Sequence, residues 1–196
     1  MRAHDIPEWY IESCHKIKYL FPKAHAVAYV MMAFRIAWFK VHDPLAFYAA
    51  YFSIRAKAVD ATCMCLGLDV CMDKMKELKG KEKTTDVEDK MLTTLEVCYE
   101  FYIRGFRFAK MDLYESEATR FKIDREAKTL RPPFTACPGL GESAAQSIVE
   151  ARKTKRFISV EELNASCPKL SKAHIDLLRH MGALDGMPDT SQITFF

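Results

Sequence analysis

Apolar residues recur at helical spacing through the first half of the chain, alternate briefly past its middle, and return to helical spacing toward the end. Ile6, Tyr10, Ile17 and Leu20 predict a helix over residues 5–20, with Pro7 suited to its first turn and Phe21-Pro22 breaking it. A second helix is predicted from Ala24 to Val41. Val27, Val30, Met31, Phe34 and Trp38 form one apolar stripe on it, and His25, Tyr29, Met32 and Ile36 form another. A helix apolar on two faces is expected to be buried on most sides. Asp43-Pro44 ends it and opens a third helix carrying Leu45, Phe47, Tyr48, Tyr51 and Phe52, with Asp43 as the N-cap. Residues 60–105 hold two more helical stretches, separated by the polar run Lys79 to Thr85. Asp86 is the expected cap of the second. Met91, Leu95, Cys98 and Tyr102 line one of its faces, and Gly105 closes it.

The period changes after Gly105. Phe106 to Tyr114 alternates apolar and polar residues as a strand does. Phe121-Lys-Ile-Asp and Thr129-Leu-Arg-Pro-Pro-Phe flank a charged turn and predict a hairpin. Helices are predicted again at 141–153, 160–165 and 171–181, with Ser171 as an N-cap and Gly182 as the stop; Gly186 to Ser191 reads as a short linker. The fold class that follows is mainly α, with a small β segment at about 106–134. A loose internal repeat lies within 138–182.

The bulk numbers add little until they are read locally. The 196 residues are 49% hydrophobic and 28% charged, enough for a real core, and the formal net charge is only +3. Between Cys14 and His42 there are five Lys or Arg and no acid, whereas Gly182 to Phe196 has two Asp and no base. A basic start and a weakly acidic end suggest two different partners. The start carries no signal-peptide pattern, and Arg35 interrupts the apolar stretch 24–39, so a buried helix rather than a membrane span is expected. The chain opens inside a helix-rich region, as a fragment would. Its seven Cys form no evenly spaced framework and read as free thiols of a reducing cytoplasm. Cys63, Cys65 and Cys71 cluster, but their spacing is not that of a zinc site and no fourth ligand is apparent.

The sharpest motif is Pro138-Gly139-Leu140-Gly141-Glu142-Ser143, a glycine turn opening directly into a helix of small residues. Such a turn presents unpaired backbone N–H groups at the positive end of a helix, where a phosphate binds. The helix ends in Arg152-Lys153-Thr154-Lys155-Arg156, four cations in five residues. The alternative is an ordinary helix start after a glycine turn. The phosphate reading makes Gly139, Leu140, Gly141, Ser143, Lys153 and Lys155 the candidate DNA contacts. The segment Pro168-Lys169-Leu170-Ser171 lacks the glycines, so one phosphate hairpin is expected. At the other extreme, Gln192-Ile193-Thr194-Phe195-Phe196 follows a polar linker and has nothing after it to bury two Phe. It reads as a peptide offered to a partner, or else as a tail folded onto its own domain.

These stretches carry a resemblance. The glycine turn resembles the helix-hairpin-helix motif of DNA-binding proteins, and the final residues resemble the short peptide with which bacterial polymerases bind the sliding clamp. Phe21 to Tyr29 and Ala37 to Tyr48 resemble the fingers of C-family bacterial replicative DNA polymerases, and Gly105 to Phe134 resembles the segment leading into their hairpin domain. The clamp-type peptide at the very end resembles the PolC type of DNA polymerase III alpha subunit. Departures are Asp43 where an aromatic residue is usual, and Thr194 and Phe195 where Ser and Leu are common.

The resemblance implies a fingers-like helical region at 1–105, a connecting β segment at 106–137, a duplex-binding helix-hairpin-helix domain at 138–186, and a linker with a clamp-binding peptide at 187–196. It implies nucleotide contacts from Lys23, His25 and Tyr29, although His25 and Tyr29 also read as core residues. Clamp contacts would come from Gln192, Ile193, Phe195 and Phe196. The implied partners are primer-template duplex, an incoming deoxynucleoside triphosphate, the sliding clamp and other replisome subunits, in the bacterial cytoplasm and away from any membrane. Polymerases hold two metal ions on strand-borne carboxylates. No Asp-x-Asp on a strand is present here, so Mg2+ and the catalytic palm are expected outside this chain, which alone is expected to be inactive. The competing reading is a stand-alone DNA-binding adaptor that recruits the clamp.

Overall fold

The computed structural model describes residues 1–17 and 22–191 and divides into two units, Met1–His42 and Asp43 onward. The first unit holds a short 3-10 turn and two helices, α1 (Glu8–Lys16) and α2 (Lys23–His42). Helix α1 is shorter than the predicted 5–20. Pro7 sits outside it as an extended N-cap, and the backbone is extended again at Ile17. Residues 18–21, where the predicted break falls, lie outside the described residues.

Helix α2 forms where its pattern predicts, but its expected burial is not observed. None of its described residues is buried, and Phe34 is 74% exposed. Apolar periodicity says which face wants cover, not whether this chain supplies it. The helix is long and apolar enough to cross a membrane by length and composition alone.

The second unit begins with α3 (Pro44–Ile54), whose N-cap is Asp43 as expected: its carboxylate accepts from the Ala46 N–H at 3.4 Å. Arg125 grips the same carboxylate through both oxygens, at 2.8 and 2.9 Å, and holds it below the usual carboxylate range. The chain continues through α4 (Ala61–Met64), α5 (Leu68–Lys79) and α6 (Asp86–Ile103). The cap of α6 is Thr85, not Asp86. Thr85 Oγ1 accepts from Glu88 N–H while the Glu88 carboxylate accepts from Thr85 N–H, a reciprocal capping box that Asp86, one residue inside the helix, cannot form.

Three short strands follow: β1 (Arg107–Phe108), β2 (Lys122–Asp124) and β3 (Thr129–Arg131). They lie in the order β1-β3-β2, with β1 parallel to β3 and β2 antiparallel to it. The predicted hairpin is present, but the predicted strand 106–114 is cut to two residues. Asp112 ends it by accepting from the N–H groups of Tyr114 and Glu115, both at 2.8 Å, which folds the chain into a turn.

The last helices are α7 (Glu142–Thr154), α8 (Val160–Ser166) and α9 (Lys172–His180). The mainly helical class with a small sheet is therefore observed. One core runs from Leu45 to Leu184, centred on Tyr48, Phe52 and Phe101, all essentially inaccessible. Tyr48 stays polar at its tip: its hydroxyl donates to Glu100 and accepts from Arg104, each at 3.0 Å. The predicted linker is anchored at its middle. The carbonyls of Pro188 and Asp189 accept from Val160 and Glu161 N–H at 2.9 and 3.0 Å, pairing groups that the first turn of α8 leaves open.

The thiols are free; Cys14 is exposed, Cys65 half-buried and the other five buried. Burial pushes the Cys63 and Cys137 thiols up to about 12, which leaves them protonated and unreactive. Among the described residues no group of His, Cys, Asp or Glu is arranged to hold a metal ion.

Candidate nucleic-acid interface

Two chain reversals in the second unit share one design. Cys137-Pro138-Gly139-Leu140-Gly141 enters α7, and Cys167-Pro168-Lys169-Leu170-Ser171, 30 positions later, enters α9. In each turn the Leu N–H donates to the Cys carbonyl, at 3.1 Å in the first and 2.9 Å in the second. Both Cys and both Leu are buried, as are Ala145 and Ile148 of α7 and their counterparts Ile175 and Leu178 of α9. The loose repeat in the sequence is thus a pair of hairpins held by equivalent apolar anchors, with their tips left at the surface.

The tips differ in the feature that matters to an anion. Gly139 sits at φ +80, the conformation that the third position of a type II turn requires. Lys169, at the matching place, keeps a negative φ. Gly141 is the N-cap of α7, with no side chain over the helix end. Ser171 caps α9 with its own hydroxyl, accepting from His174 N–H at 3.3 Å, and the His174 ring closes a capping box. The second hairpin is therefore capped from within, while the first leaves the leading N–H groups of its helix to an outside acceptor.

The second hairpin also reaches across to the first. Lys169 Nζ donates to Ser143 Oγ in the first turn of α7. His174 Nε2 lies 3.1 Å from the Gly139 carbonyl oxygen. An ammonium placed beside the positive end of a helix is unfavourable by itself, and Glu142 offsets only part of that charge. An anion is the ligand class that such an arrangement suits. The turn also walls a cleft of about 730 Å3 lined by Lys57, Asp60, Thr119 and Thr135 among others.

The sequence-predicted contacts divide between the two ends of α7. Gly139, Leu140, Gly141 and Ser143 meet at its start, with Leu140 buried as the anchor rather than exposed. Lys153 lies 12 residues beyond Gly141, about 18 Å along a helix at 1.5 Å per residue. Lys153 pairs with Glu150 at 2.7 Å and Lys155 with Glu162 at 2.8 Å. Arg152 turns inward, donating to the Leu113 carbonyl at 2.8 Å and also to that of Ser116, while Arg156 lies 5.0 Å from the Tyr114 ring centre. Lys169 and His174 were not singled out from sequence. The recurrence of Cys-Pro-x-Leu at 137–140 and 167–170 was the available signal.

In the first unit, Lys23 opens α2 and His25 lies in its first turn. The His25 ring meets that of Tyr29 edge-on, with centres 4.6 Å apart, and Tyr29 is 66% exposed. Gln192, Ile193, Phe195 and Phe196 lie outside the described residues.

The helix-hairpin-helix motif family matches residues 105–192. Over its full length the chain is 53% identical to the DNA polymerase III PolC-type of Lactococcus lactis subsp. lactis (strain IL1403). It is 50% identical to that of Streptococcus pneumoniae serotype 2 (strain D39 / NCTC 7466) and 49% identical to that of Clostridium perfringens (strain 13 / Type A). It spans 12% of the first of these relatives and 13% of the other two.

Proposed function

We propose, for a chain that belongs as a segment to the PolC-type DNA polymerase III family, that its second unit grips the backbone of duplex DNA for a replicative DNA polymerase. The observation that carries this reading is the turn at Gly139, which opens into the uncapped start of α7 with Lys169 beside it. Backbone N–H groups and an ammonium converging on one point suit a phosphate oxygen, and phosphates carry no sequence information. Gly139, Gly141 and Ser143 supply the cradle, Leu140 anchors it, and Lys169 adds charge. Lys153 and Lys155 serve a second phosphate further along the duplex. Their surface ion pairs, worth about 0–1 kcal/mol each, give way easily to a stronger anion.

Fluorescence anisotropy on labelled duplexes of unrelated sequence, across a salt series, tests the reading. Two or three neutralised phosphates give a log–log slope of about −2 to −3, at roughly 0.9 per phosphate, with equal affinity for each sequence. A flat salt response or a strong sequence preference refutes it.

The remaining roles rest on the family alone. Lys23, His25 and Tyr29 contact the incoming nucleotide from α2. Gln192, Ile193, Phe195 and Phe196 attach the polymerase to the sliding clamp. The reaction itself, with Mg2+ on catalytic carboxylates, takes place in a part of the polymerase outside this chain, in the bacterial cytoplasm. Deleting residues 192–196 is expected to abolish clamp binding in a calorimetric titration and to leave duplex binding intact. Unchanged clamp affinity removes that role.

A further inference from the structure

We infer that His174, on the hairpin that makes no phosphate cradle of its own, is the positioning residue that sets the cradle of the other. The inference rests on the phosphate reading above. Its geometry starts from a group whose chemistry is not in question. The Ser171 backbone N–H is always a donor, and it points at His174 Nδ1 from 3.2 Å. Nδ1 must therefore accept, so the neutral ring carries its proton on Nε2. That N–H faces the Gly139 carbonyl oxygen at 3.1 Å. A single tautomer thus satisfies both contacts, one in each hairpin.

The consequence concerns where the Gly139 carbonyl points. Gly139 at φ +80 belongs to the residue type with the fewest steric limits on its backbone, so the turn around it is the softest part of the cradle. A carbonyl oxygen that swings toward an approaching phosphate repels it. The His174 N–H keeps that oxygen directed at the ring, and the buried Leu140 side chain fixes the following residue. Lys169 and His174 come from the same hairpin, so one element supplies both the cation at the site and the tie that shapes it. The unequal tips then have a common purpose: the hairpin that caps itself braces the hairpin that does not.

Four versions of the chain separate this from a general loss of structure. His174→Leu removes both ring contacts. His174→Gln retains an acceptor for Ser171 N–H and a donor for the Gly139 carbonyl, since Gln is an ordinary residue at this place in a capping box. Ser171→Ala weakens the cap of α9 but leaves the backbone N–H and the ring contacts in place. Duplex anisotropy is measured for each of these and the unaltered chain, well below the lowest melting temperature. His174→Leu is expected to bind about three- to tenfold more weakly, the equivalent of one lost hydrogen bond, with His174→Gln and Ser171→Ala within about twofold of the unaltered chain. Proton–nitrogen correlation spectra of the ring are expected to show the proton on Nε2, a readout that survives even where His174→Leu does not fold. Equal binding by His174→Leu, an equal loss in Ser171→Ala, failure of His174→Gln to rescue, or a proton on Nδ1 each overturns the inference. Absence of duplex binding by the unaltered chain removes the phosphate reading, and this inference with it.

Discussion

At the scale of single residues, the two glycines of the first hairpin differ in what they require. Gly139 needs to be glycine for its backbone. A Cβ there would meet His174 Nε2 at an ordinary 3.9 Å, so the obstacle to a side chain is the φ of +80 rather than crowding. Gly139→Ala is expected to cost about 1–2 kcal/mol of stability in a urea melt, the usual penalty for an L-residue held in the left-handed region. A cost near zero would mean that the turn relaxes to the Lys169 form. Gly141 has an ordinary φ of −72 and open space around its Cβ position. Its lack of a side chain matters for what the helix end leaves exposed. Sequence made both glycines visible and could not tell them apart, because φ is set by the turn. It also hid Lys169 and His174, whose neighbours Ser143 and Gly139 lie 26 and 35 positions away.

At the scale of elements, periodicity located the helices well and their ends less well. The ends are decided by short-range hydrogen bonds that several neighbouring residues compete to make. Thr85 beat Asp86 to the cap of α6 because only Thr85 stands three residues before Glu88. Asp112 ended a strand that alternation alone would have continued. The capping box of α6 has a pH signature. Lys81 and the Thr85 N–H hold the Glu88 carboxyl at about 2, below its ordinary 4.5. A depressed folded value means that the stabilisation is complete above about pH 4.5 and is lost as pH falls toward 2. Urea melts at pH 7 and pH 3 are expected to show this acid-side loss shrinking in Glu88→Gln. Thr85→Ala is expected to lose about 1 kcal/mol at pH 7. An unchanged acid slope in Glu88→Gln would place the titrating group elsewhere.

At the scale of the whole molecule, the mainly helical class and the presence of a helix-hairpin-helix motif were legible, because both depend on local patterns. The burial of α2 was not. Its stripes give the direction of an apolar face, and nothing in a chain that spans about an eighth of its relatives' length says what lies against it. The continuity of the core from Leu45 to Leu184 was hidden for a related reason: contacts such as that of Phe52 with Phe101 join segments that read separately. The core is built from buried residues and the hairpin tips are exposed, so fold and grip can be separated by experiment. Gly141→Ser does so most directly, since it copies the self-capped tip at Ser171 onto α7. Serine caps a helix at least as well as glycine, by a few tenths of a kcal/mol. A hydroxyl there would accept from one N–H of the first turn and cover the helix start on which a phosphate would sit. Melting and duplex anisotropy on this one variant are expected to give an equal or slightly higher melting temperature together with weaker, less salt-dependent binding. Undiminished binding with an unchanged salt slope would contradict the claim that the open start of α7 holds the DNA backbone.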